Sequence, residues 1–124
     1  MLILTPLDSL FDYQEAKKLW EKYKDKLEDG GDFDKVLENS QFFSFYSDKK
    51  LIGCISFYQN DGKTFVNAFA GRKTHAINLE CLKKALTFYN CDIYAKSKEK
   101  PAIYCILKCG FKKIENNLYI YERR

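Results

Sequence analysis

Two hydrophobic periods alternate along this chain of 124 residues. The opening run MLILTPL (1–7) is apolar and reads as a short strand that stops at Pro6. Asp8 or Ser9 can cap a helix, and Ser9 with Asp12 approximates a capping box. From there Leu10, Ala16, Leu19, Trp20, Tyr23 and Leu27 recur at helical spacing until Gly30-Gly31 ends the pattern. DFDKVLENS (32–40) predicts a second, short helix with Phe33, Val36 and Leu37 on one side.

The period then falls to two. QFFSFYSDKKLIGCISFYQNDGKTFVNAFAG (41–71) reads as three strands, with turns at Asp48-Lys49-Lys50 and Asp61-Gly62, the latter a strong hairpin signal. RKTHAINLECLKKALTFYN (72–90) returns to the helical period, with Leu79, Leu82, Leu86 and Tyr89 as its buried stripe. CDIYAKS (91–97) is strand-like. KPAIYCILKCG (100–110) predicts a helix that has Pro101 in its first turn and Gly110 as its stop. FKKIE and NLYIYER form a last strand pair around Asn116-Asn117.

The predicted order is strand, helix, helix, three antiparallel strands, helix, strand, helix, two strands. A helical crossover after the third meander strand implies one parallel pair in an otherwise antiparallel sheet. No repeat, linker or low-complexity segment interrupts the pattern, so residues 1–124 are read as one domain. With 46% hydrophobic and 16% aromatic residues, the chain can build one core. No run approaches the ~20 apolar residues that span a bilayer. The first ten residues lack the basic and apolar regions of a signal peptide. The expected setting is the cytoplasm, or the inside of a particle.

The five cysteines, Cys54, Cys81, Cys91, Cys105 and Cys109, are odd in number and scattered, which argues against a disulfide framework. One histidine and no Cys-x-x-Cys pair give no reason to expect a metal site. The cysteines are therefore read as small buried hydrophobes in a reducing compartment. The net charge is +4, with 18 Lys against 3 Arg. That excess favours anionic ligands only weakly, because acids are interleaved, as in EAKKLWEKYKDKLED. Nucleic-acid binding is not expected in the absence of an Arg-rich stripe or a recognisable module.

PAIYCILKCGF (101–111) resembles the penultimate-helix motif of the GNAT superfamily, the general N-acetyltransferases, Asn-x-x-Ala-x-x-x-Tyr-x-x-x-Gly-Phe. Ala102, Gly110 and Phe111 fall on its Ala, Gly and Phe. The predicted element order resembles that of the superfamily over almost the whole chain. The resemblance implies an α+β fold with a mixed, mostly antiparallel sheet, about four helices, and central parallel strands that splay apart. It implies acetyl-CoA or another acyl-CoA as co-substrate, an amine acceptor, and acyl transfer by direct attack of the amine on the thioester. Pantetheine would pair with fourth-strand backbone as an added strand does, and the pyrophosphate would sit at the next helix N-terminus, where free N–H groups and the dipole favour anions.

The cofactor-binding residues carried over are Ala68, Phe69, Ala70, Arg72, Lys73, Thr74, His75 and Ala76, with oxyanion stabilisation by backbone N–H near Phe69 or Ala70. The family's phosphate loop, Gln/Arg-x-x-Gly-x-Gly/Ala, is only partly matched: Thr74 stands at the first Gly position and Gly71 at the Gln/Arg position. The family's leaving-group Tyr falls on Ile106, its Asn on Glu99, and the Glu base common on the fourth strand on Asn67. The remaining catalytic candidates are Tyr104, the nearest phenol, and His75, the single histidine, which suits cofactor contact or helix capping better. Tyr94, Tyr119 and Tyr121 are further candidates for the acceptor cleft. Asp29, Asp32, Asp34 and Glu38 could line an acidic acceptor pocket, or lie on the surface and cap helices. With neither usual proton-transfer group in place, the alternative is a catalytically degenerate member, an accessory or structural protein of a phage or mobile element.

Overall fold

Seven strands form one sheet in the order β1-β2-β3-β4-β5-β7-β6, in a computed structural model that describes residues 1–26, 31–70 and 75–123. The strands are β1 (Leu2–Leu4), β2 (Ser40–Ser47), β3 (Lys50–Asn60), β4 (Lys63–Ala70), β5 (Ile93–Lys96), β6 (Lys112–Glu115) and β7 (Leu118–Tyr121). Four helices join them: α1 (Tyr13–Tyr23), α2 (Phe33–Asn39), α3 (His75–Leu86) and α4 (Lys100–Lys108), with a 3-10 turn over Lys24–Lys26. The β2-β3 and β3-β4 hairpins close through two-residue turns whose central residues are left-handed: Asp48 and Lys49 (φ +52° and +64°), then Asp61 and Gly62 (φ +54° and +75°). Turns of that hand match the twist of the strands they join. Asn117, at φ +62°, turns β6 into β7.

The predicted element order is the observed one, with local corrections. The first strand is shorter than 1–7, and Asp8 accepts hydrogen bonds from the Thr5 N–H and hydroxyl instead of capping a helix. The N-cap of α1 is Asp12, whose carboxylate accepts from the Glu15 N–H at 3.0 Å. Leu10 therefore precedes the helix and is 73% exposed, while Ala16 and Trp20 carry the buried stripe. Asp32, one of the acids read as a possible pocket residue, caps α2 through the Asp34 N–H, and Asp34 accepts from the Tyr13 hydroxyl. Tyr89 lies beyond the end of α3, with its ring 4.3 Å from that of Phe57.

Each sheet face carries its own core. Ala16 and Trp20 of α1 and Phe33 and Val36 of α2 pack on Phe42, Cys54 and Phe69. On the other face Cys81, Leu82, Ala85 and Leu86 of α3 and Ile106 of α4 pack on Ile55, Phe57, Val66, Ile93 and Ala95. Burying each large apolar side chain stabilises the fold by about 1.5–3 kcal/mol. Cys54 and Cys81 are buried as expected; Cys91 is exposed, contrary to the uniform reading of the cysteines.

The C-terminus of α4 locks its register to the sheet. Gly110 has φ +105°, its N–H donates to the Leu107 carbonyl, and the Phe111 N–H donates to the Ile106 carbonyl at 3.2 Å. This is a Schellman cap, with Ile106 and Phe111 buried together as its hydrophobic pair.

Candidate acyl-transfer cavity

β4 pairs with β3 along its whole length, from Asn60↔Lys63 to Gly53↔Ala70. On its other edge it pairs in parallel with β5 at Thr64↔Ile93 and Phe65↔Tyr94 alone. Beyond Tyr94, β5 stays with β7 as far as Lys96↔Leu118. The two strands thus part after one short contact. From Val66 onward the β5-facing edge of β4 has no strand opposite it among the described residues. Backbone groups on such an edge need partners, and an extended ligand supplies them as an added strand does.

The gap is a cavity of about 500 Å³. Alternation along a strand sends successive side chains to opposite faces, so β4 contributes to both sides of it. Val66 and Ala68 lie on the α3 and α4 face; Asn67 and Phe69 lie on the α1 and α2 face. Ile55, Leu82, Ala102 and Ile106 extend the apolar wall on the first face. The polar lining comes from Tyr23 at the end of α1, Asn67, Asn78 on α3, Lys96 at the end of β5, and Ser97 and Glu99 between β5 and α4.

Of the residues named in advance for the co-substrate, Ala68 and Phe69 line this cavity. Arg72, Lys73 and Thr74 lie outside the described residues, as do the side chains of Ala70, His75 and Ala76. α3 begins at His75, the residue after Thr74. Asp29 is also outside the described residues.

The tyrosine candidates are not brought together. Tyr104 is half exposed on α4, with the Lys108 ammonium 5.6 Å from its ring centroid. Tyr119 is buried in the core of the α3 and α4 face. Tyr94 packs on Phe65 beneath Lys63, and Tyr121 on Phe111 beside Arg123. None of these four lines the cavity. Ile106 does, and Ala102, one helical turn earlier, lines the same wall.

Three thiols also reach the cavity: Cys54, Cys81 and Cys105. Burial pushes Cys54 up to about 12, partly offset by the Ser44 hydroxyl 3.7 Å away. Burial, helped by Glu80, pushes Cys81 up to about 11, and burial also raises Cys105. Near neutral pH these are protonated, unreactive groups. Among the described residues no cluster of His, Cys, Asp and Glu is able to hold a metal ion, and no helix is long and apolar enough to cross a membrane.

In the sequence Tyr23 belongs to a helix stripe and Cys105 to the cysteines read as buried hydrophobes, while Asn78 and Ser97 belong to no motif. No sequence signal marks them, because they meet only where the strands part. Glu99 and Asn67 were visible as departures from the motif.

No family model and no curated protein sequence matches the chain. Solved structures do. A GNAT family acetyltransferase from Elizabethkingia anophelis with acetyl-CoA bound superposes with TM-score 0.67 at 16% identity, over 98% of this chain and 97% of that one. A Bacillus subtilis acetyltransferase in complex with CoA gives TM-score 0.69 at 13% identity, over 98% of each chain. A protein of Streptococcus mutans UA159 gives TM-score 0.74 at 13% identity, over 98% of this chain and 99% of that one. At such identities the likeness is one of fold, and the fold is that of the GNAT acetyltransferases.

Proposed function

We propose that this protein is an acyl-CoA-dependent N-acyltransferase, moving an acetyl group from acetyl-CoA to an amine by direct attack on the thioester. The observation that carries this reading is the parting of β4 from β5, which leaves β4 backbone facing a cavity whose one wall is apolar. That wall suits the pantetheine arm. The matching fold in proteins with acetyl-CoA or CoA bound supports the same assignment. The β4 backbone near Phe69 and Ala70 would stabilise the developing oxyanion, and Arg72, Lys73 and Thr74, ahead of α3, would take the phosphates. The cytoplasm is the setting proposed for it.

Holding thioester and amine together supplies much of the acceleration without a built-in acid. The test is a thermal-shift titration with acetyl-CoA, then detection of free thiol on adding amines. Binding to the native state raises Tm by linkage. A Tm unmoved by acetyl-CoA at millimolar concentration refutes the assignment.

A second reading, a catalytically degenerate protein of this fold with an accessory or structural role in a phage or mobile element, rests on one specific observation. Both motif positions that usually carry proton-transfer groups face the cavity with groups that cannot titrate, Ile106 and Asn67. Tight acetyl-CoA binding without turnover would favour it.

A further inference from the structure

We propose that Glu99 is the group that binds the acceptor's ammonium and takes its proton, so that the acceptor is an amine that arrives charged. This rests on the acyltransferase reading above. Glu99 is the one carboxylate among the described residues lining the cavity. The other described groups that face it there cannot serve as base near neutral pH. Lys96 is a cation, with its ammonium 5.8 Å from the Phe65 ring centroid. Tyr23 is a phenol, and Cys54, Cys81 and Cys105 are thiols held protonated by burial. Asn67, Asn78 and Ser97 do not titrate in this range.

The local structure leaves the Glu99 carboxylate available. Glu99 is the N-cap of α4 with extended backbone (φ −82°, ψ 124°), yet its side chain makes no capping hydrogen bond. Its own N–H is taken by the Ser97 hydroxyl at 3.1 Å, and its carbonyl accepts from the Ile103 N–H at 2.9 Å. A side chain that capped the helix would stabilise it by about 1 kcal/mol; this one does not. Nor does it pair with Lys96, Lys98 or Lys100, since the single salt bridge among the described residues is Lys112–Glu122. An exposed carboxylate on the cavity lining, with no ion-pair partner among the described residues, attracts an ammonium.

The proton and bond changes close. Glu99 takes one proton from the bound ammonium and frees the nitrogen lone pair. That lone pair attacks the thioester carbonyl carbon, the C–S bond breaks, and the sulfur leaves as thiolate. The second amine proton reaches the thiolate through water, consistent with Ile106 offering no acid there. Glu99 then returns its proton to solvent, leaving amide, free thiol and one released proton.

The experiment uses acetyl-CoA with tyramine, spermidine, kanamycin and a peptide α-amine as acceptors, and hydroxylamine as an acceptor that is neutral at pH 7.5. Wild type, Glu99→Gln, Glu99→Asp and His75→Ala are compared, with acetyl-CoA affinity measured separately by calorimetry. In Glu99→Gln, kcat/KM for the charged amines should fall about 100-fold, the scale of general-base help. Hydroxylamine transfer and acetyl-CoA affinity should hold, and Glu99→Asp should recover most of the loss. A purely structural role would lower both acceptor classes alike. Equal loss on both, no loss on either, or a loss confined to His75→Ala overturns the inference. Acetyl-CoA binding without transfer to any acceptor overturns it together with the catalytic reading, whereas absent acetyl-CoA binding refutes the acyltransferase assignment itself.

Discussion

Tyr104 and Ile106, two residues apart on α4, face opposite ways: Ile106 is 7% exposed and lines the cavity, while Tyr104 is 50% exposed on the outer surface. Two residues advance a helix by about 200°, so the one phenol near the motif position cannot share its face. Tyr104→Phe should therefore change any acetyl-transfer rate by less than about tenfold, under ~1.4 kcal/mol of barrier. Ile106→Tyr should fold, because its side chain can extend into open space. Thiol-release rates and circular-dichroism melts check both. A rate loss of about 100-fold in Tyr104→Phe, with acetyl-CoA binding intact, would show that the phenol reaches the sulfur.

Gly110 ends α4 at φ +105°, a region that residues with a Cβ enter only with strain. A Cβ added there would meet the Tyr121 ring at 3.5 Å, an ordinary contact. The cost of substitution is thus in the backbone and not in crowding. Gly110→Ala should lose roughly 1–3 kcal/mol, and Gly110→Val more, because a β-branched residue fits that region worse. Urea unfolding gives the values directly, and an unchanged midpoint for Gly110→Val would contradict the cap.

Much of this fold is legible in the sequence because its signals are local. Asp61-Gly62 announces a hairpin, and Pro101 with Gly110 brackets a helix, since each needs a backbone geometry few residues adopt. The sequence leaves the start of α1 ambiguous because three capping residues, Asp8, Ser9 and Asp12, stand close together. The choice between them depends on where Leu10 points, which is a tertiary matter. The cavity was legible only through the motif resemblance. Strand parting is set by which backbone groups pair at Thr64 and Phe65, and no side-chain pattern encodes that.

The observed cap makes its own prediction. Asp12→Ala removes the hydrogen bond to the Glu15 N–H and should cost about 1 kcal/mol. Ser9→Ala should lie within about 0.5 kcal/mol of wild type, as a surface change away from any cap. Denaturant midpoints would reverse in order if Ser9 were the cap.

Arg72 and Lys73 are proposed as phosphate contacts from their position ahead of α3. Arg72→Ala combined with Lys73→Ala should weaken acetyl-CoA binding by roughly 1–3 kcal/mol, the worth of hydrogen bonds to charged groups. The melting curve without ligand should stay close to that of wild type. Calorimetry showing equal affinity in a folded double variant would move the phosphate site elsewhere.

Alkaline stability follows from Cys54. Burial raises its thiol from 9.0 to about 12, so the folded state holds the proton over a range in which the unfolded chain has released it. For an acid whose folded value is raised, the stabilisation is complete below the unfolded value and is lost as pH climbs toward the folded one. Tyr46, raised from 10.0 to about 12 by burial and by Glu15, acts in the same direction. Stability should therefore fall from about pH 9 upward, at a slope approaching 1.4 kcal/mol per pH unit for each proton involved. Cys54→Ala removes the larger contribution. It should unfold more easily at neutral pH, since it loses the contact with Ser44 and leaves a small void. Yet its stability should decline less between about pH 9 and pH 10 than that of wild type. Urea melts of both proteins across that range decide the matter: parallel declines would mean that the Cys54 thiol does not hold its proton in the folded state.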